Sequence, residues 1–554
     1  MIEAQPRDEQ RRAAMASAAL IVLAACVPYL STINAYFLQD DFGVIQLMAR
    51  RSWTMFFQWF TMPWTEDIWQ YTPDEIRPFV AVSYVITSWW GAGSPVGHHA
   101  LNIAIHAANG LMVMKLARTA AGLGRPAATV AAVAFVLLPV QAESVAWITG
   151  RVDSMPTLFY FAAFLAYAQW RAGSKRAYWW ALAWYFVALF SKQNTITLPA
   201  ALIAYDWLVA RRRMELRWAW LRPYVPFVLM TVGFLGLRYA TVGTVVRESQ
   251  LNAEGLQVFS DIVLRHTGRV LAGHSGALRT GEWLGLGLLA GAAAIAFWKL
   301  MAPDRRRLAA AAIFFGVVWW VLGIAPILAA GYESPRHVYL AAAGWTILLG
   351  VAFEALTTAA RTPAWRRLVH AGAIAMLLFY AVQLWGIVRQ WNAAADVSRI
   401  AVVNLEREIL AAPPGTLVIV GVPVRSWEWA VPFSAQPPYA ATRLTDRAFI
   451  VTPWLLHCCR SQWLDHTRKT LRAWVAQPQP APVIALYFDP ETGVMSRRSD
   501  VEFPALRGIV QTLIDQRQVG PELDQILALD RPIQRVLHEL VAPVPPRDGD
   551  LRIR

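Results

Sequence analysis

Two adjacent carboxylates, Asp40 and Asp41, close the stretch Tyr36-Phe37-Leu38-Gln39-Asp40-Asp41-Phe42, directly after the first long apolar run. They stand where that run would leave a bilayer. Charge is costly beside lipid, so carboxylates at such a border mark function. The pair reads as the centre of an active site on the outer side of a membrane. A solvated boundary or a helix cap is the plainer reading of the same residues.

Other polar residues fall at comparable borders. His98, His99, Asn102 and His106 open a second apolar run. Gln141 to Asp153 carries Glu143, Arg151 and Asp153; Ser191-Lys192-Gln193-Asn194 and Glu333-Ser334-Pro335-Arg336-His337-Val338-Tyr339 are two further outer loops. Lys192 and Arg336 could snorkel to the interface, but their shared sidedness favours an anion site. Glu143, Arg151 and Asp153 read equally as a structural ion network or as part of a site. The histidines read as hydrogen-bonded helix-end residues rather than metal ligands, because no cysteine or H-E-x-x-H spacing accompanies them.

These residues need a frame, and composition names it. The 554 residues are 56% hydrophobic and 16% charged, with a mean hydropathy of +0.36. Soluble domains carry about 25% charged residues, so the chain reads as an α-helical polytopic membrane protein. Its 27 tryptophans suit a membrane–water interface. The net charge of +14 could serve nucleic acid. Basic residues held in inner loops are the plainer cause, and no nucleic-acid partner is expected. Three cysteines, Cys26, Cys458 and Cys459, cannot build a disulfide framework.

Apolar runs predict eleven spans: 13–34, 97–118, 127–141, 153–170, 177–190, 194–210, 223–242, 282–300, 308–330, 338–357 and 366–388. A cleaved signal peptide is the rival for the first, which is too long for an ordinary h-region. With the N-terminus inside, Arg11, Arg118, Arg171, Arg211 to Arg213, Arg305 to Arg307 and Arg366 fall in short inner loops. That is the positive-inside pattern. An odd span count then leaves the C-terminal part outside.

The expected organisation is a membrane core over 1–391 and a small soluble α/β unit over 392–554 on the outer side. Residues 35–96 form a first outer loop with interfacial helices, carrying Glu66, Asp67, Asp74, Glu75 and Arg77-Pro78. Residues 243–281 form a second, with Arg265, His266, Arg269 and His274; Arg238 lies just before it. Thr416–Val422, Ala448–Thr452 and Val483–Tyr487 read as buried strands, and 462–476, 504–517 and 531–541 as helices. The tail after Pro543 reads as disordered. No internal repeat of 20–50 residues is visible.

One set of motifs resembles a known family. It comprises Asp40-Asp41, Arg77-Pro78, His99-x-x-Asn102-x-x-x-His106, Glu143-Ser144-Val145-Ala146-Trp147-Ile148-x-Gly150-Arg151-x-Asp153, Ser191-Lys192-Gln193 and Arg336-His337-x-Tyr339-Leu340. Together they resemble the membrane core of the transmembrane and tetratricopeptide-repeat O-mannosyltransferases, of the GT-C superfamily, over residues 13–390. That superfamily also holds the protein O-mannosyltransferases and the bacterial aminoarabinose transferase. The resemblance implies a polyprenyl-phosphate-linked sugar donor and a first-loop acid, Asp40 or Asp41, acting on the acceptor hydroxyl with inversion. By the same resemblance and by charge, Arg336, Lys192, Arg151, Arg77, His99, His337, Tyr339, Arg238 and Arg269 are candidates to hold donor phosphate and sugar. Glu143, Asp153, Asn102, His106 and Gln193 are further site candidates. No particular cofactor is assigned, and a divalent metal stays open. The tetratricopeptide repeats are missing and the α/β unit stands instead, so a protein, a lipid or a glycan acceptor all stay open. A bacterial inner membrane suits the single chain. The rival class is a transporter or flippase of lipid-linked sugars, against which the one-sided charges and the missing repeat count. A third reading makes the α/β unit the functional part, with the spans as its anchor.

Overall fold

The computed structural model describes residues 7–65, 75–91, 93–210, 218–243, 263–270, 306–328, 334–421, 430–451, 482–489 and 494–499, with a few isolated positions between them. Every expected span within these residues is helical. The helices are Arg7–Cys26, Val96–Thr119, Arg125–Leu137, Arg151–Arg171, Ala177–Leu189, Leu198–Leu208, Val225–Val242, Arg306–Ile313 with Trp320–Leu328, Tyr339–Ala359 and Pro363–Ala411. The expected span at 282–300 lies outside the described residues, as do Cys458, Cys459, the helices at 504–517 and 531–541, and most of that at 462–476.

By length and composition, five of these helices can each cross a membrane: Asp8–Thr32, Val96–Thr119, Val225–Val242, Pro335–Ala359 and Pro363–Ala411. A sixth is reached if Arg125–Leu137 and Pro139–Ala146, bent by 50°, form one broken span. The chain is a multi-pass membrane protein, and the expected eleven spans are not reached among the described residues. The shortfall has physical causes. Ala177–Leu189 and Leu198–Leu208 hold 13 and 11 residues, against the ~20 a span needs. Arg151–Arg171 is long enough but carries Arg151, Asp153 and Arg171.

Small residues draw the inner helices together, as expected where lipid leaves packing as the main drive. A Cβ at Gly350 would lie 2.9 Å from the Ala127 carbonyl oxygen, and one at Gly344 2.4 Å from that of Phe315. At the far end of Arg151–Arg171, buried Asp206 accepts hydrogen bonds from Tyr167, Tyr224 and Arg171. One helix of 21 residues, roughly 30 Å long, thus joins two polar clusters.

The segment expected to be the first outer loop, residues 35–96, holds the short helices Asp40–Ala49 and Pro78–Ser88 and the 3₁₀ turns of Trp53–Phe60. Trp53 and Phe57 are exposed, while Trp59 and Trp64 are buried. Pro78 occupies the first turn of its helix, where a missing N–H costs nothing.

The last helix runs 49 residues without a break, so the expected border at 391/392 falls inside it. It leads to a sheet of order β2-β1-β3-β4, comprising β1 Leu417–Gly421, β2 Phe449–Val451, β3 Val483–Asp489 and β4 Val494–Ser499. The three expected strands are present and parallel, with Leu417 opposite both Phe449 and Val483. The added β4 pairs antiparallel with β3.

Between Arg125–Leu137 and Arg151–Arg171 the chain folds into short turns: 3₁₀ at Pro139–Gln141, helix at Ala142–Ala146, 3₁₀ at Ile148–Gly150. A Cβ on Gly150 would sit 2.2 Å from the Glu143 carbonyl oxygen and 2.8 Å from Ser144 Cα. Both are backbone atoms that no rotamer change moves. Gly150→Ala is therefore expected to cost about 3 kcal/mol or more, as overpacking does. Thermal unfolding in detergent should show a marked fall in midpoint, and an unchanged midpoint would contradict this packing.

Candidate active site

The two carboxylates begin the helix Asp40–Ala49, where acidic groups complement the exposed N–H dipoles. The residue before them, Gln39, has φ 46° and ψ −115°, a conformation that L side chains seldom adopt. From there the two acids part. Asp41 is buried, and its Oδ2 accepts the Leu38 N–H at 3.0 Å. Its Oδ1 accepts the Thr149 N–H at 2.9 Å and the Thr149 hydroxyl at 2.6 Å. Asp41 is thereby tied to the turn before Arg151. Burial, with the charge of Asp40 adding to it, pushes its carboxyl up to about 7 even against these three hydrogen bonds, which favour the charged form.

Asp40 is only half-buried, and no side chain among the described residues hydrogen-bonds its carboxylate. It feels the charges of Arg336, Glu75 and Glu143. Burial, aided by the two glutamates and opposed by Arg336, pushes it up to about 7.

Arg336 holds the opposite wall. Its Nη1 donates to Glu143 Oε1 at 2.9 Å, its backbone N–H to Glu143 Oε2 at 3.3 Å, and its Nε lies 3.2 Å from Asp153 Oδ2. The guanidinium also lies 4.8 Å from the centre of the Trp147 ring. Lys192 closes on the other oxygen of Asp153, and Ser334 donates to Glu143. Burial lowers Lys192 to about 8, with Arg77 and Arg336 acting the same way and Asp153 against them. His337 feels the charges of Lys192, Arg336, His266 and Arg77. Arg77 in turn pairs with Glu75 at 2.9 Å, while its buried Nε finds no hydrogen-bond partner among the described residues. Asp40, Glu143, Asp153, Lys192, Arg336, Arg77 and His337 thus come together from five stretches of chain, with Glu75 and His266 added by the structure.

Other sequence candidates are hydrogen-bonded to protein groups. Arg151 is fully buried; its Nε donates to Asn102 Oδ1 at 2.7 Å, its Nη1 to Ser83 O and Oγ at 3.1 Å, its Nη2 to His98 O at 2.9 Å. Asn102 then donates to the carbonyls of Val145, Trp147 and Ile148. His99 meets Ala35 O at 3.1 Å. His106 sits between Tyr339 Oη at 2.7 Å and Val136 O at 3.1 Å. Those contacts agree with the hydrogen-bonded reading of the histidines, and they place Tyr339 among the helices. Arg238 donates to Val245 O at 3.0 Å, and Arg269 lies 3.4 Å from His266. Gln193 starts a 3₁₀ turn beside Lys192. Among the described residues, no three His, Cys, Asp or Glu side chains are grouped to hold a metal. Sequence reading passed over Thr149 and Glu75 as site residues. Their signals were their places, one inside the Trp-Ile-Thr-Gly-Arg stretch and the other two residues before Arg77.

No family model matches the chain. Curated relatives do. Protein O-mannosyl-transferase TMTC1 of Homo sapiens is 28% identical over 163 residues, 27% of this chain and 18% of its own length. TMTC2 of Mus musculus is 26% identical over 200 residues, 33% and 23% respectively. TMTC3 of Mus musculus is 25% identical over 139 residues, 24% and 15%. The resemblance read from the motifs is borne out, while the matched stretch spans less than a quarter of each of these relatives. Among solved structures, ArnT from Cupriavidus metallidurans bound to undecaprenyl phosphate aligns with a TM-score of 0.48 at 15% identity, over 86% of this chain and 93% of that one. Its apo form gives 0.47 over 87% and 94%.

Replacing Arg151 should test the frame apart from the chemistry. Arg151→Met leaves Asn102 Oδ1 and two buried carbonyls short of a donor, at roughly 1 kcal/mol or more each. We expect a loss of about 3 kcal/mol in reversible unfolding in mixed micelles. Stability equal to the parent would mean that these bonds contribute nothing.

Proposed function

We propose that the chain is an integral-membrane glycosyltransferase that moves a sugar from a polyprenyl-phosphate donor to an acceptor hydroxyl. The observation that carries this reading is the division between the two acids. Both carboxyls are pushed up to about 7, but Asp41 is held by three donors, whereas half-buried Asp40 has no side-chain hydrogen-bond partner among the described residues and feels the charge of Arg336. A base whose pKa lies near the working pH is the most effective.

In the proposed step, Asp40 takes the proton of the acceptor hydroxyl as its oxygen bonds to the anomeric carbon. The bond from that carbon to the phosphate oxygen breaks, and the polyprenyl phosphate leaves with the electron pair. Attack on the face opposite the leaving group inverts the configuration. The transition state is oxocarbenium-like, and carboxylate charge nearby favours it. The departing phosphate needs fixed positive partners. Lys192 and Arg336 are our assignment, with Arg77 behind them. Glu143 and Asp153 aim the Arg336 fork and keep the empty site near neutral overall. Arg151, Asn102 and Thr149 position the loop.

The donor keeps its tail in lipid and its sugar at the surface, so the site belongs at one face of the membrane. The basic inner loops point to the outer face, and a bacterial inner membrane with a periplasmic site is the setting we assign. The acceptor is a hydroxyl of a protein, a lipid or a glycan.

Asp40→Asn should lower transfer by about 10²–10⁴-fold, the usual worth of a general base. Mass spectrometry of surface glycans from cells carrying the variant reads this directly. The parent rate should also fall as the pH drops below about 7, because the protonated carboxyl cannot accept a proton. The sign on stability is opposite. A carboxyl whose folded pKa is raised destabilises the fold progressively from the unfolded value near 4 up to about 7. Asn should therefore leave the melting midpoint at pH 8 equal or higher, with the difference vanishing near pH 4. Normal transfer by a well-expressed Asp40→Asn protein would remove the assignment.

A further inference from the structure

The long helix Pro363–Ala411 and the segment after β1 reach back to the loop that carries the two acids. Along the helix, Asn392 Nδ2 donates to Ser31 Oγ at 2.9 Å, Ser398 Oγ to Phe37 O at 2.7 Å, and Arg399 Nη2 to Asn34 O at 3.1 Å. Ser398 and Phe37 are buried. From the following segment, Phe433 O and Pro437 O accept from Gln46 Nε2 at 3.3 and 3.2 Å. Tyr439 Oη lies 3.2 Å from Asp41 O and 3.0 Å from Phe42 O, and its hydroxyl donates to that pair of carbonyls. The Tyr439 ring meets Phe37 and Phe42 edge-on, with centres 5.0 and 4.7 Å apart.

These contacts surround the strained residue. Gln39 has its positive φ between Phe37, held by Ser398, and Asp41, held by Tyr439. A backbone in such a region persists only where its surroundings over-determine it. The space left at this junction is a void of about 30 Å³, whose lining includes Gln39, Phe42, Ser398, Val402, Leu405 and Val420. That is space for roughly two enclosed water molecules, and the hollow is partly open to solvent. The junction is held by hydrogen bonds and ring contacts on both sides of Gln39.

We infer that the C-terminal unit serves as a brace for the catalytic loop, with Tyr439 a positioning residue that fixes the first turn of Asp40–Ala49 and so the direction of the Asp40 carboxylate. The inference rests on the reading of Asp40 as base. It assigns the unit a role in turnover that needs no acceptor contact from this junction. Displacement of a reacting group by about 1 Å can cost 10²-fold, so loosening one hydrogen bond of the brace should cost about tenfold.

The test uses the full chain in lipid nanodiscs. Tyr439→Phe keeps the ring and removes the hydroxyl. Amide exchange over residues 40–46 should quicken about tenfold, with residues 98–110 unchanged. Polyprenyl-phosphate sugars extracted from host membranes serve as the donor probe. Turnover should fall about tenfold at an unchanged half-saturating donor concentration. Ser398→Ala, which loosens the other side of Gln39, should quicken exchange in the same region and covers the case in which Tyr439→Phe fails to fold. Parent-like exchange and turnover in both variants would overturn the brace, as would exchange that rises evenly along the chain. Asp40→Asn runs beside them. Full transfer by that variant counts against Asp40 as base, whereas loss there with parent-like Tyr439→Phe and Ser398→Ala counts against the brace alone.

Discussion

A guanidinium shared between two buried carboxylates sets the terms for the rest of this structure. Arg336 lies between Glu143 and Asp153, and Lys192 closes on the far side of Asp153. Burying such charges costs several kcal/mol per ion unless each finds a partner in good geometry. The partners come from the turn of Ala142–Ala146, the start of Arg151–Arg171, the loop before Leu198–Leu208 and the entry to Tyr339–Ala359. Removing any one charge leaves another uncompensated. The helix ends are therefore held at one level, with two cations and two carboxylates paired there.

The stretch 138–151 converts that requirement into geometry. Its extended residues, Leu138 and Trp147, break it into short turns. Those turns present Glu143 to Arg336 on one side and the Thr149 N–H to Asp41 on the other. Arg151 and Asn102 bind its carbonyls from beneath. Gly150 allows the backbone to double back against Glu143. Asp41 is drawn into this stretch, and Asp40, about 100° further round the helix start, is turned away from it. The difference between a structural acid and an available one thus arises from one residue of helical rotation.

Much of this was legible in the residues. The apolar runs located nearly every described helix, because burial in lipid leaves a compositional trace. The three parallel strands were visible as short apolar runs, the pattern of strands covered on both faces. The gathering of Arg336, Lys192, Glu143, Asp153 and Asp40 followed from their shared place at span ends. What stayed hidden depends on direction and length. Nothing in a sequence distinguishes Arg151, each of whose guanidinium nitrogens donates to protein, from Arg336, whose charge Asp40 feels. Nor does it separate Asp40 from Asp41. Helices such as Leu198–Leu208 looked like spans because neighbouring loops are apolar too. The last helix looked shorter than it is, because hydropathy marks its lipid-facing part and its polar continuation to Ala411 carries no such mark.

That continuation links the two halves of the chain. A loop at a membrane surface has lipid on one side and water on the other, and neither fixes its backbone. The stretch that carries the two acids meets this problem with contacts far away in sequence. Its entry, Ser31 to Phe37, is laced to one face of the long helix, and the first turn of Asp40–Ala49 is held by the segment that follows β1. The sheet is distant from Arg336 in sequence and adds no charge to the network described around it. What it supplies is rigidity, since β1 lies between two parallel neighbours and anchors the chain leading to Tyr439. A site of this kind needs electrostatics from the membrane helices and stiffness from outside them. The C-terminal unit is placed to provide the second where the helices cannot, at the strained residue immediately before the acids.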